Sequence, residues 1–349
     1  MTGSAQVGRR SGPGAGPDGV PAAIALSPIL SARYRPRDLQ RIAAAAPGSR
    51  LISISLEGLA DAELADVEVL LRGPLPRGIF DRLLARCPRL VWVHSATAGV
   101  ERVLTPAAKQ RGLAITNARG VFSEPIAEYV LMMILAVSRR LPQLLELQRE
   151  RTWQPLEGTE MADLTVGVVG LGSIGRRVAQ LALSFGSRVV AVRRAAAEEA
   201  AGEVDGLPGI AQLLPPQRLP ELLAQSDFVV LALPLTAETE RLFDASMLTH
   251  AKPGSWLINV ARGRLIDERA LFRALRDGPL AGAVLDTFND EPLPADSPFY
   301  ELPNAIITPH TAWSSGRVLD RSIDLFCHNL ERFRRGEPLE NLVDPGAGY

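Results

Sequence analysis

The stretch VGVVGLGSIGRRVA, Val166–Ala179, decides the fold. An apolar run that reads as a buried strand ends in Gly170, and Gly170, Gly172 and Gly175 then follow G-x-G-x-x-G spacing into a helix-like segment. Each glycine has a separate reason: a tight turn at the first, close approach of backbone to a pyrophosphate at the second, close strand–helix packing at the third. The helix that opens here offers free N–H groups and partial positive charge to a phosphate. Glycine spacing alone is weak evidence and also describes an ordinary βα turn. The strand–turn–helix context makes it a dinucleotide-binding signature.

Outward from that turn, strands and helices alternate. TVGVV, RVVAV, FVVLAL, SWLINV, GAVL and AIIT make a series of six strands suited to a dinucleotide-binding sheet. An earlier series, AAIAL, LISIS, VEVLLR, LVWVH and LAITN, is interleaved with helical stretches at 36–46 and 78–86 and reads as a five-stranded flavodoxin-like unit. The fold class is therefore α/β, two Rossmann-like or flavodoxin-like domains with doubly wound parallel sheets and a cleft between them. A long helix over 124–153 starts the second unit. Ser123 is its expected cap, Pro125 lies in its first turn, and Pro142 kinks or ends it. A last helix is expected over Ala312–Leu330, packing back on the first unit. The stretch Ala195–Pro220, rich in Ala, Glu and Pro, reads as a surface loop with at most one helical turn. The expected domains are a disordered tail over 1–20, a substrate domain over 21–123 plus 312–349, and a nucleotide domain over 124–311.

Composition excludes several classes. The chain has 349 residues, a net charge of −1 and two cysteines, Cys87 and Cys327, with no Cys-x-x-Cys pair. No global field favours nucleic acid or a membrane surface, and neither a disulfide framework nor a structural metal is expected. The longest apolar run, YVLMMILAV, is too short to span a bilayer. Arg9 and Arg10 resemble a twin-arginine signal, but Gly and Pro follow them. A cytoplasmic protein is the expectation.

Chemistry is expected beyond the carboxyl ends of the strands, where ligands bind in open α/β sheets. Pro234 and Thr236 follow FVVLAL, Arg262 follows SWLINV, Asp286 and Glu291 follow GAVL, and His310 follows AIIT. In the first unit LVWVH runs into the small-residue turn SATAGVE. Arg can hold a carboxylate in a two-pronged bond and polarise a carbonyl. His exchanges a proton near neutral pH, and a carboxylate beside it stabilises the imidazolium. The structural alternatives for Arg262 are a cap on the preceding helix and a pairing with Asp267. Glu291 shares an acidic loop with Asp290. His94 ends a strand and is the rival of His310, whereas His250 and His328 read as surface or satisfied positions.

RVVAV is followed by Arg193 and Arg194, Arg193 lying 23 positions beyond Gly170. In an NAD-binding unit an Asp or Glu stands near this place and binds the ribose 2′-OH. A guanidinium there suits a 2′-phosphate, so NADP(H) is the preferred cofactor and NAD(H) the secondary one. The alternative is that the arginines are solvated and Glu198 or Glu199 binds the ribose.

The segments GLGSIG, NVARG, DTFNDEPLP and TPHTAW together resemble the D-isomer-specific 2-hydroxyacid dehydrogenase family, and the likeness covers nearly the whole chain after the first twenty residues. Trp313 after TPHTA resembles the glyoxylate/hydroxypyruvate reductase branch. The resemblance implies that Arg262 binds the substrate carboxylate and carbonyl, that Glu291 orients His310, and that His310 is the acid/base. It implies a grip on the carboxylate by the backbone of Ala98, Gly99 and Val100, with Trp313 also at the substrate. The loops 56–59 and 72–76 would join Trp313 in setting chain-length preference. Cofactor contacts are implied for Gly170, Gly172, Ser173, Ile174, Gly175, Arg193, Arg194, Pro234, Thr239, Val260 and Asp286. It implies an NAD(P)-dependent reductase of small 2-keto acids, a homodimer through the 124–153 helix and its Trp153 arm, and no resident metal. The other readings are a corepressor-like nucleotide sensor, which needs no proton donor, and a phosphite-type dehydrogenase. Glu291 stands against a formate type, where Gln would be expected beside the histidine.

Overall fold

The computed structural model describes residues 19–29, 34–194, 200–204 and 207–346, the 200–204 segment as backbone only. Most of the expected tail, 1–18, lies outside the described residues, as do Glu198 and Glu199. The chain divides into two compact units, Met1–Val121 with Gly316–Tyr349, and Phe122–Ser315.

The first unit runs β1 (Ala23–Leu26), α1 (Pro36–Ala45), β2 (Arg50–Ser53), β3 (Val67–Arg72), α2 (Arg77–Arg86), β4 (Trp92–Ser95), α3 (Pro106–Gln110) and β5 (Ala114–Thr116). The sheet order is β2-β1-β3-β4-β5 with every pairing parallel, the flavodoxin-like order. Side chains alternate across the sheet, so one strand feeds two cores. Ala23 and Ala25 pack with Phe80, Leu83 and Leu84 of α2. Ile24 and Leu26 pack on the other face with Ile42 of α1 and with Ile323, Phe326 and Leu330. The last three belong to the C-terminal helix, Val318–Arg335, which ends at Gly336 with φ 65°. The helix starts six positions later than Ala312 and runs five beyond Leu330, because Ala312 is drawn into a turn described below.

The second unit starts with two helices, α4 (Ser123–Ser138) and α5 (Leu141–Arg149), where one was expected. Pro142 lacks the N–H that would bond Ser138, and its ring would clash there. The break falls just ahead of it, at Arg140 with φ 60°. The Ser138 carbonyl accepts Thr159 N–H at 2.9 Å instead. Ser123 is the first helical residue and makes no cap; Phe122 precedes it.

The sheet follows: β6 (Thr165–Val169), α6 (Ser173–Ser184), β7 (Arg188–Val192), β8 (Ala200–Val204), β9 (Leu207–Leu214), α7 (Leu219–Gln225), β10 (Phe228–Leu231), α8 (Ala245–Leu248), β11 (Trp256–Asn259), α9 (Glu268–Arg276), β12 (Gly282–Leu285) and β13 (Ala305–Ile307). Its order is β13-β12-β11-β10-β6-β7-β9-β8, parallel throughout except β8 on β9. The six expected strands are all present. The stretch expected as a loop adds two more: β9 pairs parallel with β7, and β8 folds back on it. Burial in β9 falls on Leu207, Ile210, Leu213 and Leu214, a spacing that breaks strict alternation, and Pro208–Gly209 interrupts it. A period-of-two search does not register such a strand.

Because β6, β7 and β10–β13 are parallel, their carboxyl ends lie along one edge. No helix among the described residues is long and apolar enough to cross a membrane.

Candidate active site

The glycine turn has the geometry that its spacing requires. Gly170 sits at φ 98°, and a Cβ there would lie 2.8 Å from the Ala232 carbonyl oxygen. A Cβ on Gly175 would lie 1.9 Å from the Gly170 carbonyl oxygen, so α6 packs against the turn only because that atom is missing. A Cβ on Gly172 would meet no atom within 4 Å. Gly172 also precedes α6 with no side chain capping it. The open backbone at Gly172, with Ser173 and Ile174 in the first turn of α6, fits a dinucleotide pyrophosphate.

Gly170 N–H donates to Val192 C=O at 3.0 Å, which joins the turn to the end of β7. The next residue, Arg193, is half-buried and bonds Leu214 C=O through its own N–H at 3.1 Å, while Arg194 is exposed. The arginine pair therefore stands beside the glycine turn. After β10, the Thr239 hydroxyl accepts Thr236 N–H at 2.8 Å and donates to Pro234 C=O at 2.7 Å. Its proton goes to closing its own turn, so Thr239 shapes the Pro234 loop and has no donor left for a ligand. Val260, directly after β11, is buried.

Arg262 follows in an extended backbone conformation ahead of a short 3-10 turn. Asn259 Nδ2 holds the Arg262 carbonyl at 2.9 Å. Asp267, the alternative partner for Arg262, caps α9 and pairs with Arg241.

His310 and Glu291 are brought together. His310 Nδ1 lies 2.8 Å from Glu291 Oε2, and the side chains are 40% and 38% exposed, so a solute can reach them. Glu291 Oε1 accepts Phe288 N–H at 3.1 Å, which fixes the carboxylate. Burial works against the Glu291 charge. The hydrogen bonds from His310 and Phe288 and the positive charges of His310 and Arg262 outweigh it and hold the carboxyl below the usual range. With Nδ1–H given to Glu291, Nε2 is the atom that can hold or release a proton toward a ligand.

Asp286 is buried beneath the same loop. Its Oδ1 accepts Thr308 Oγ1–H at 2.6 Å and Thr311 N–H at 2.8 Å, and its Oδ2 accepts Ala312 N–H at 3.0 Å. The resemblance casts Asp286 as a cofactor contact; in the fold its carboxylate anchors the His310 loop. Trp313, half-buried, meets the Phe122 ring edge-on at 6.5 Å.

The turn Ala98–Val100 belongs to the first unit. Thr97 Oγ1–H donates to Gly99 C=O at 2.8 Å, and Asn117 Nδ2 donates to Ala98 C=O at 2.9 Å. In a trans peptide the N–H points opposite to the carbonyl. Each tether therefore turns the N–H of its own peptide, that of Gly99 or of Val100, away from the group that holds the carbonyl. Arg72, at the end of β3, is buried with its guanidinium on the carbonyls of Gly73 (3.1 Å), Leu75 and Arg102 (3.2 Å). Burial pushes it down to about 10.

His94 is excluded as acid/base. It is wholly buried, and burial pushes it down to about 3. Sequence reasoning did not find Thr97, Asn117, Tyr129 or Thr308. The only signal for Thr97, Asn117 and Thr308 was a place just beyond a strand end, which many structural residues share, and Tyr129 lies inside α4 with no such signal.

The chain is similar to several known proteins. A family model described as "D-isomer specific 2-hydroxyacid dehydrogenase, NAD binding domain" matches residues 131–312. A glyoxylate reductase of Korarchaeum cryptofilum is 33% identical over 308 residues, 86% of this chain and 87% of that protein. A D-isomer specific 2-hydroxyacid dehydrogenase from Xanthobacter autotrophicus Py2, solved with NADPH and MES, superposes with a TM-score of 0.80 at 32% identity, over 95% of this chain and 100% of that one. An NADPH-dependent glyoxylate/hydroxypyruvate reductase from Sinorhizobium meliloti, solved with NADP and sulfate, gives 0.78 at 28% identity, over 94% and 100%. The chain spans about half (49%) of the length of the mycobacterial D-3-phosphoglycerate dehydrogenases that it matches at 38% identity over 268 residues.

Proposed function

The chain belongs to the D-isomer-specific 2-hydroxyacid dehydrogenase family, and on that premise we propose that it is an NADPH-preferring reductase of small 2-keto acids such as glyoxylate or hydroxypyruvate. The family consists of NAD(P)-dependent oxidoreductases acting on 2-hydroxy acids. The observation that carries the proposal is the His310–Glu291 pair at 2.8 Å with the Arg262 charge acting on it.

A bound nicotinamide supplies the hydride. The rest of the work belongs to this chain. Arg262 holds the substrate carboxylate with its planar fork and polarises the carbonyl. The Gly99 and Val100 N–H groups, with Ala98 ahead of them, are the proposed donors to that carboxylate from the first unit. His310 Nε2 gives a proton to the carbonyl oxygen, and Glu291 stabilises the charged imidazole before the transfer. Trp313 bounds the side of the substrate away from the carboxylate. Gly170–Gly175, Pro234 and Val260 form the cofactor's seat, and Arg193, assisted by Arg194, meets a 2′-phosphate. NADPH in the similar solved structures supports that preference.

The proposed partner is a second copy of the chain. Helix α5 buries none of its residues, Leu141, Leu144 and Leu145 are exposed, and Trp153 is 100% exposed. An apolar face of this kind on a charged helix suits a subunit contact. Light scattering behind gel filtration reads it: a dimer is expected, with Trp153→Ala and Leu145→Glu shifting it to monomer.

The activity is tested with a panel of 2-keto acids, each with NADPH and NADH, on the native protein and on His310→Ala. Reduction of a two- or three-carbon acid is expected. His310→Ala is expected to lose about 10²- to 10⁴-fold in kcat, as for a general acid, with NADPH affinity unchanged. No turnover of any acid, or full kcat in the variant, overturns the reading. Phosphite with NADP⁺ belongs in the same panel, and turnover of phosphite alone would replace the proposed substrate class.

A further inference from the structure

His310 adopts φ 49°, a left-handed conformation that costs a non-glycine residue roughly 1 kcal/mol or more. Such a conformation persists only where its surroundings over-determine it. Those surroundings form a directed chain of hydrogen bonds. Thr308 has one hydroxyl proton, and Asp286 Oδ1 at 2.6 Å takes it, since a carboxylate accepts. Tyr129 Oη lies 2.6 Å from Thr308 Oγ1, so the tyrosine must be the donor there. Burial pushes the Tyr129 phenol up to about 12, so it keeps its proton across the working range. Protons therefore point one way, from Tyr129 on α4 through Thr308 to Asp286. The same carboxylate holds the N–H groups of Thr311 and Ala312, and His310 N–H donates to Thr308 C=O at 3.0 Å. The residues on both sides of His310 are thus tied to one buried anion.

We propose that Tyr129 and Thr308 are positioning residues for His310: through Asp286 they set the direction of its imidazole, and so govern turnover while leaving cofactor binding alone. This rests on the reading of His310 as the proton donor. A donor displaced by a fraction of an ångström still binds Glu291 but meets the carbonyl oxygen poorly, and misplacement of about 1 Å can cost on the order of 100-fold in rate.

The test uses Tyr129→Phe, Thr308→Val, their double variant and Thr308→Ser in the full chain. Tyr129→Phe is expected to lower kcat roughly 10-fold with the Kd for NADPH and the melting temperature near native. Thr308→Val cuts both links and is expected to lower kcat at least as far. The double variant should be no worse than Thr308→Val, because the chain is already broken, and Thr308→Ser should retain most activity. Independently of activity, amide exchange at Thr311 and Ala312 should quicken in Tyr129→Phe and Thr308→Val. Native exchange together with native kcat in Tyr129→Phe overturns the proposal, as does a multiplicative double variant. If His310→Ala keeps full kcat, the functional reading fails; an unchanged exchange rate at Thr311 and Ala312 is the separate failure of the anchoring chain.

Discussion

His94 makes the fold sensitive to acid by an amount that follows from its surroundings. The imidazole is fully buried between Trp92, at a centroid distance of 6.2 Å, and Phe326, at 5.5 Å. Trp92 Nε1 donates to Thr116 Oγ1 at 2.9 Å, and the same hydroxyl lies 2.8 Å from His94 Nδ1. Charging the imidazole means desolvating a cation, and burial pushes the group from 6.5 down to about 3. In the unfolded chain it titrates near 6.5. Between these values the unfolded state holds the proton and the folded state does not, so stability falls as pH falls. The loss is about 1.4 kcal/mol per pH unit, about 2.7 kcal/mol at pH 4.5, and is complete at about pH 3. His94→Gln removes the titration and keeps a polar partner for Thr116. Urea unfolding of both proteins at pH 7.5, 6.5, 5.5 and 4.5, followed by tryptophan fluorescence, reads the difference. The native protein should lose ground to the variant by about 1.4 kcal/mol for each unit below 6.5, whatever their offset at neutral pH. Parallel curves would refute the reasoning.

Glu291→Gln is expected to move the alkaline limb of ketoacid reduction to lower pH. The carboxylate that favours the charged pair is gone and reduction needs protonated His310; a kcat/KM profile with an unmoved limb counts against the pairing. Arg262→Lys keeps the charge and loses the planar fork, so kcat/KM for the 2-keto acid should fall by at least about 10-fold, and a near-native value removes Arg262 from that role. Arg193→Asp should weaken NADPH far more than NADH, measured as kcat/KM for each at one moderate ionic strength because salt screens a phosphate contact. Better use of NADH than NADPH by the native chain defeats the 2′-phosphate assignment.

Most strands were legible because they are buried and show as short apolar runs between turn residues. β8 and β9 were not expected, and burial in β9 falls at 207, 210, 213 and 214, which follows its packing and no simple period. The glycine turn was legible for a stronger reason: each glycine answers a clash or an opening only a few residues away. Arg262, Glu291 and His310 were found because a parallel sheet puts its carboxyl ends on one edge, so a polar residue at a strand end is already placed.

What the sequence could not show is which strand-end residues face a ligand and which face inward. His94 and His310 both follow apolar strands. His94 is closed off by Phe326, more than 200 positions away, and no local pattern announces that contact. Asp286 is the reverse case. A carboxylate at the end of β12 reads as a ligand group, yet its partners Thr308, Thr311 and Ala312 lie 22, 25 and 26 positions downstream. Thr308 closes β13, which neighbours β12 in parallel register with Leu285 opposite Ile307. That register is what sets Asp286 beside Thr308 and lets one anion hold both flanks of His310. The TPH segment is then a consequence of sheet geometry: threonine to reach the buried carboxylate, proline where no N–H is required, and histidine at the turn that the carboxylate holds in place.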